Sequence, residues 1–100
     1  MAQQQQTYKP KPPKQGTEKD QHRLADWLPK MQNYLSVVGL WDITNQDIAI
    51  PDMTANQRNK NGLAHFCLTD NLSPMYCELV YHHPRAYDIW RTLQQVKYSV

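Results

Sequence analysis

The chain is poor in the residues that most often carry chemistry. Its 100 residues include two cysteines, Cys67 and Cys77, and three glycines, Gly16, Gly39 and Gly62. Two cysteines are too few for a disulfide framework, and reduced thiols in an intracellular protein are the default. His65, Cys67, Cys77, His82 and His83 are the soft metal ligands of the body, but they form no C-x2-C or H-E-x-x-H pattern. His65 and Cys67 stand two apart, so on a helix they point to different faces. The expectation is no metal site, with Cys67 and Cys77 as small core residues. Three dispersed glycines exclude a glycine-rich phosphate loop. Asp42, Asp47, Asp52, Asp70, Glu78 and Asp88 are scattered and give no close carboxylate pair for general acid–base work. No residue is therefore assigned a catalytic, cofactor-binding or metal role, and the chain reads as a protein that is not an enzyme and needs no cofactor or small-molecule substrate.

Long apolar runs are missing too. Nothing approaches the roughly 20 residues of a membrane span, and no apolar N-terminal run suggests a signal peptide. A cytoplasmic location and no membrane partner are expected. No segment alternates long enough to require a sheet.

What is present is aromatic and helical. Hydrophobic residues make up 40% of the chain, with three tryptophans, six tyrosines and one phenylalanine. A single domain of this length buries about 60–65% of the surface its unfolded chain exposes, so its core is thin. Charge divides the chain in two. Lys9, Lys11, Lys14 and Lys19 against Glu18 give residues 1–19 a charge of +3, whereas the other seven Lys/Arg against eight Asp/Glu leave residues 20–100 at −1. The segment "MAQQQQTYKPKPPKQGTEK" has no hydrophobic periodicity, and Gln, Pro and Lys dominate it. It is expected to be a disordered arm with polyproline II character over Lys9–Lys14, because it has too little apolar surface to offset its ordering entropy. Its lysines are a weak footprint for RNA, and Pro10-Lys11-Pro12-Pro13 fits a PxxP ligand pattern.

From residue 20 the pattern is that of a small all-α bundle of four to five short helices. Leu24, Trp27, Leu28, Met31, Leu35 and Val38 recur at steps of three and four. Asp20 or Asp26 is the expected N-cap of this first helix, Pro29 is expected to bend it, and Gly39 stands where a C-cap glycine belongs. Trp41 is expected to fold back over the end of that helix. Residues 42–53 read as a loop with a short extended piece at Ile48–Ile50. A second helix is expected from Asp52 or Thr54 to Asn71, with Leu63, Phe66 and Cys67 in the core and Gly62 weakening it by about 1 kcal/mol relative to Ala. Ser73-Pro74 opens a short third helix carrying Leu79. His83-Pro84 repeats that signal, His83 as the cap, before a last helix with Ala86, Ile89, Trp90 and Leu93 at helical spacing. Trp27 and Trp90 lie on apolar stripes, so core packing is favoured over stacking on bases.

The combination of these features resembles the N-terminal part of copia-type retrotransposon Gag polypeptides. Trp27, Met31, Leu35 and Gly39-Leu40-Trp41 fit a W-x3-M-x3-L helix leading into a GLW turn. Leu72-Ser73 follows, and then Ala86, Trp90, Leu93 and Tyr98 in the form A-x3-W-x2-L-x4-Y. The order and spacing agree across residues 23–98. The resemblance implies the N-terminal lobe of a capsid-like domain that works by contacts with copies of itself or with other Gag chains, around the element's RNA. It also implies a second lobe and a zinc knuckle beyond Val100, so the expectation is a truncated or host-retained fragment of such a polypeptide.

Overall fold

A computed structural model describes residues 9–97 of the chain; the first eight residues of the expected arm, and Tyr98 of the last motif, lie outside the described residues. Five α-helices follow one another: α1 (Leu24–Val37), α2 (Trp41–Thr44), α3 (Ala55–Asp70), α4 (Pro74–Val80) and α5 (Ala86–Val96), with a 3-10 turn at Ile50–Asp52 between α2 and α3. Among the described residues the only β-type pairing is a single bridge between Gln15 and His22. The fold is all-α.

The apolar stripe of α1 turns inward as its spacing requires: Trp27, Met31 and Leu35 are fully buried, and Leu24 and Leu28 nearly so. The helix starts at Leu24, and Arg23 occupies its N-cap without a side-chain bond. Neither Asp20 nor Asp26 caps it; Asp26 lies inside the first turn, where a carboxylate complements the helix dipole. Pro29 is accommodated within one continuous helix and faces solvent. At the other end Gly39 has φ of 79°, the left-handed conformation that glycine adopts at no steric cost. The Leu40 amide donates to Leu35 O at 2.7 Å and the Gly39 amide to Ser36 O at 3.3 Å. These two bonds make a Schellman motif, and Leu40 packs on the core beside it.

The motif redirects the chain at once. Residues 42–44 of the expected loop belong to α2, and the extended piece expected at Ile48–Ile50 ends one residue early, with Ala49 extended and Ile50 already in the 3-10 turn. Trp41 opens α2 and meets the ring of Trp90 edge-on at 5.2 Å, a favoured aromatic geometry. It therefore joins the end of α1 to α5.

Thr54 caps α3 through a complete capping box. The Gln57 amide donates to Thr54 Oγ1 at 3.1 Å, and the Thr54 amide donates to Gln57 Oε1 at 2.9 Å. The helix buries Asn61, Ala64 and Leu68. Leu63 and Phe66, expected in the core, are exposed, and Cys67 is half-buried. Five apolar residues in the six positions from Leu63 to Leu68 spread over about 200° of arc at 100° per residue, wider than one helix face, so periodicity alone could not choose the inward face. Asn61 helps to choose it. Its Nδ2 donates to Pro84 O at 2.9 Å, and its Oδ1 accepts the Ala86 amide at 2.8 Å. A side chain of α3 thus caps the start of α5, in the role expected of His83. His83 instead lies beside Thr92, with Nε2 and Oγ1 3.3 Å apart.

In α4 the wall side is Val80, fully buried, whereas Leu79 is 44% exposed. The seven-residue helix presents one fully buried side chain, so adjacent apolar residues in it point in different directions. Val38, the α1 C-cap, is likewise exposed; the Schellman turn carries it off the stripe. Ala86, Ile89, Trp90 and Leu93 of α5 are buried.

Composition points to disorder over residues 1–19; at residues 13–16 the chain instead lies on the bundle. Pro13 O accepts the Trp27 indole N–H at 2.8 Å. The Gln15 amide donates to Asn71 O at 2.8 Å, and Gln15 Oε1 accepts the Ser73 amide at 2.9 Å. Gln15 is 6% exposed. Hydrogen bonds to otherwise unpartnered backbone groups and to a buried indole replace the apolar burial that this segment cannot supply.

Candidate interaction surface

With the core accounted for, several large apolar side chains remain on the outside. Leu63 and Phe66 on α3 are 53% and 64% exposed, and Met75 on α4 is 68% exposed; Leu79 accompanies Met75 one turn away, and Val37 and Val38 flank the end of α1. The pairs Leu63/Phe66 and Met75/Leu79 stand three and four residues apart, so each pair shares a helix face. Scattered apolar atoms are normal on a protein surface, but paired large side chains on one face form the kind of patch that meets another protein.

The polar groups serve mainly as ties between elements. Arg85 grips Asp88 through two bonds of 2.8 and 3.0 Å and Asp47 at 2.6 Å, and also donates to Ile48 O at 3.1 Å. The hydrogen bonds to Asp88, then those to Asp47, hold its guanidinium more firmly protonated than usual. This cluster fastens the segment before the 3-10 turn to the start of α5. His65 Nε2 lies 2.8 Å from His83 O and 3.3 Å from Tyr81 O, so its ring holds the α4–α5 connection against α3.

Cys67 Sγ lies 4.0 Å from Met31 Sδ. Burial, and secondarily the charge of Asp70, push its thiol up to about 11, so it remains protonated at neutral pH. Desolvation, and then Cys67, also raise the Tyr34 phenol. Cys77 is half-buried against the core. Among the described residues no three His, Cys, Asp or Glu side chains converge as a metal site would require, and no helix is long and apolar enough to cross a membrane.

The arm lysines Lys9, Lys11, Lys14 and Lys19 all face solvent. The fold does not gather all four, but it sets Lys11 beside Lys30 of α1 along a shallow groove that also includes Pro10, Pro13 and Tyr34. Sequence reasoning missed Asn61, Gln15 and Lys30. The first two carry no local signal because their partners lie 25 and 58 residues away, and Lys30 is one isolated charge until the arm docks beside it. No protein-family model matches the chain, and neither a curated protein nor a solved structure is detectably similar to it.

Proposed function

We propose that this chain is a non-enzymatic structural module of the copia-type Gag kind, a capsid-like N-terminal domain that acts in the cytoplasm by binding copies of itself or related Gag chains. The observation that carries this reading is the outward placement of Leu63 and Phe66 on one helix face and of Met75 and Leu79 on another, in a bundle whose polar groups are engaged in holding helices together. The spacing of Trp27, Met31, Leu35 and Gly39-Leu40-Trp41 supports the family assignment. Sedimentation velocity from micromolar to millimolar concentration tests it. The average mass is expected to rise with concentration and to be indifferent to chelators. A chain that stays monomeric throughout and also ignores a full-length copia-type Gag sinks the reading.

The groove of Lys11 and Lys30 beside Tyr34 favours a second reading, RNA binding through the arm. Replacing Lys9, Lys11, Lys14 and Lys19 by Gln keeps the docked segment in place, which deletion of residues 1–19 would not. Anisotropy of a labelled single-stranded RNA is expected to show affinity falling with salt at a slope of roughly −0.7 per phosphate neutralised. Binding unchanged in the four-lysine variant rules this reading out.

A further inference from the structure

The exposed face of α3 has the pattern of a helix–helix seam. Asn59, Leu63, Phe66 and Asp70 follow at steps of four, three and four, all four are exposed, and at 100° per residue they fall within about 60° of arc. The buried residues Asn61, Ala64 and Leu68 lie on the opposite side. A four–three–four stripe with apolar residues at its centre is how one helix meets another. Gly62 borders the stripe. Its φ is not positive, and nothing lies within 4 Å of the place its Cβ would take. The single chain therefore has no packing or conformational reason to keep a glycine in a helix interior, whereas a second helix lying close against this face supplies one.

Resting on the self-association reading above, we infer that this face binds the same face of a second copy, with the two α3 helices antiparallel. Charge sets the direction. Arg58 and Lys60 stand in the first half of α3 and Asp70 at its end. An antiparallel pair brings Lys60 of each copy beside Asp70 of the other; a parallel pair brings like charges together. The helix dipoles oppose one another favourably in the same arrangement. The two-fold axis that sets Leu63 against Phe66 of the second copy also sets Asn59 against its Asp70, where the amide donates to the carboxylate, so the interface is isologous. Two large apolar side chains per copy cover less than the roughly 800 Å² per partner of a standard interface. The dimer is therefore weak, with Kd of the order of 10 μM to 1 mM, a strength suited to contacts repeated many times in an assembly.

Sedimentation equilibrium of the full chain between 20 μM and 1 mM (roughly the span that such a Kd requires) tests the inference. Phe66→Glu and Leu63→Glu are expected to weaken association by roughly thirtyfold or more with unchanged circular dichroism and Tm, since both side chains face solvent in the single chain. Gln32→Glu on the exposed side of α1 is expected to leave it unchanged. Lys60→Glu and Asp70→Lys are each expected to weaken association, and an equimolar mixture of these two variants to restore it, because opposite charges face each other again. A Phe66→Glu or Leu63→Glu variant that associates as well as the wild type overturns the α3 seam but leaves the self-association reading standing. Single charge variants that weaken association without rescue on mixing overturn the antiparallel arrangement. A wild-type chain that remains monomeric to 1 mM overturns the seam, and overturns the reading beneath it when it also ignores a full-length copia-type Gag.

Discussion

At the scale of single residues, stability rests on a few polar side chains whose removal leaves buried groups without partners. Asn61 is the clearest. Replacing it with Ala leaves the Pro84 carbonyl and the Ala86 amide, at the start of α5, without their bonds. The expected loss is about 1–3 kcal/mol in a urea titration, with α5 amides showing the largest drop in hydrogen-exchange protection. Cys67 gives a prediction in pH. Its thiol is raised from 9.0 to about 11 in the folded chain, so folding favours the protonated form. That contribution is complete below about pH 9 and is lost as pH rises toward 11. Stability is therefore expected to fall across this window, less steeply in Cys67→Ala, with Tyr34 supplying part of what remains. A Cys67→Ala titration that superimposes on the wild type refutes the assignment. Neither effect was readable in advance. Asn61 lies in a polar run beside Asn56, Gln57 and Asn59 that resembles a solvated surface, and only its partner 25 residues away distinguishes it.

At the scale of elements, two glycines in helical contexts have opposite roles. Gly39 sits at φ of 79° and ends α1; Gly39→Ala forces an L side chain into the left-handed region and is expected to cost about 1–2 kcal/mol. Gly62 lies inside α3 with open space where a Cβ would be; Gly62→Ala is expected to stabilise the monomer by about 0.5–1 kcal/mol. Thermal unfolding of both variants at low protein concentration checks the pair, and equal signs would contradict this account of their conformations. Local signals sufficed for Gly39, because helix termination is decided within a few residues by dipeptide geometry and terminal carbonyls. The capping box at Thr54 and Gln57 is similarly local. The short α2 is different. Trp41–Thr44 has too few residues to form a helix in isolation and is held by contacts with α3, α5 and Trp90, which a local reading of Asp42–Gln46 could not supply.

At the scale of the whole molecule, the arm changes the accounting. Among the described residues three bonds join it to the bundle, from Trp27 to Pro13, from Gln15 to Asn71 and from Ser73 to Gln15, at about 0.5–1.5 kcal/mol each. Removal of residues 1–16 is expected to lower unfolding stability by about 2–4 kcal/mol and to make the Trp27 indole accessible, seen as a red shift in tryptophan emission. A chain shortened in this way that unfolds at the wild-type urea midpoint shows that the docked segment contributes nothing. A thin core has little reserve against such a loss.

The amino-acid order alone determined the helical class, the inward stripes of α1 and α5, and the glycine that ends α1. Those features depend on a 3.6-residue period and on backbone sterics, both of which act over a few residues. The tertiary structure decided which side of α3 and α4 faces inward, and thereby turned Leu63, Phe66 and Leu79 out to solvent. It also decided that a Pro- and Lys-rich segment docks and that Asn61 caps a distant helix. In a run whose apolar residues spread over more than half a turn of the helix, the inward face is set by what the neighbouring helices need, here a cap for α5 and a side chain beside Met31. That choice is a property of the packed assembly of helices, because burial and hydrogen-bond partners exist only once the helices are brought together.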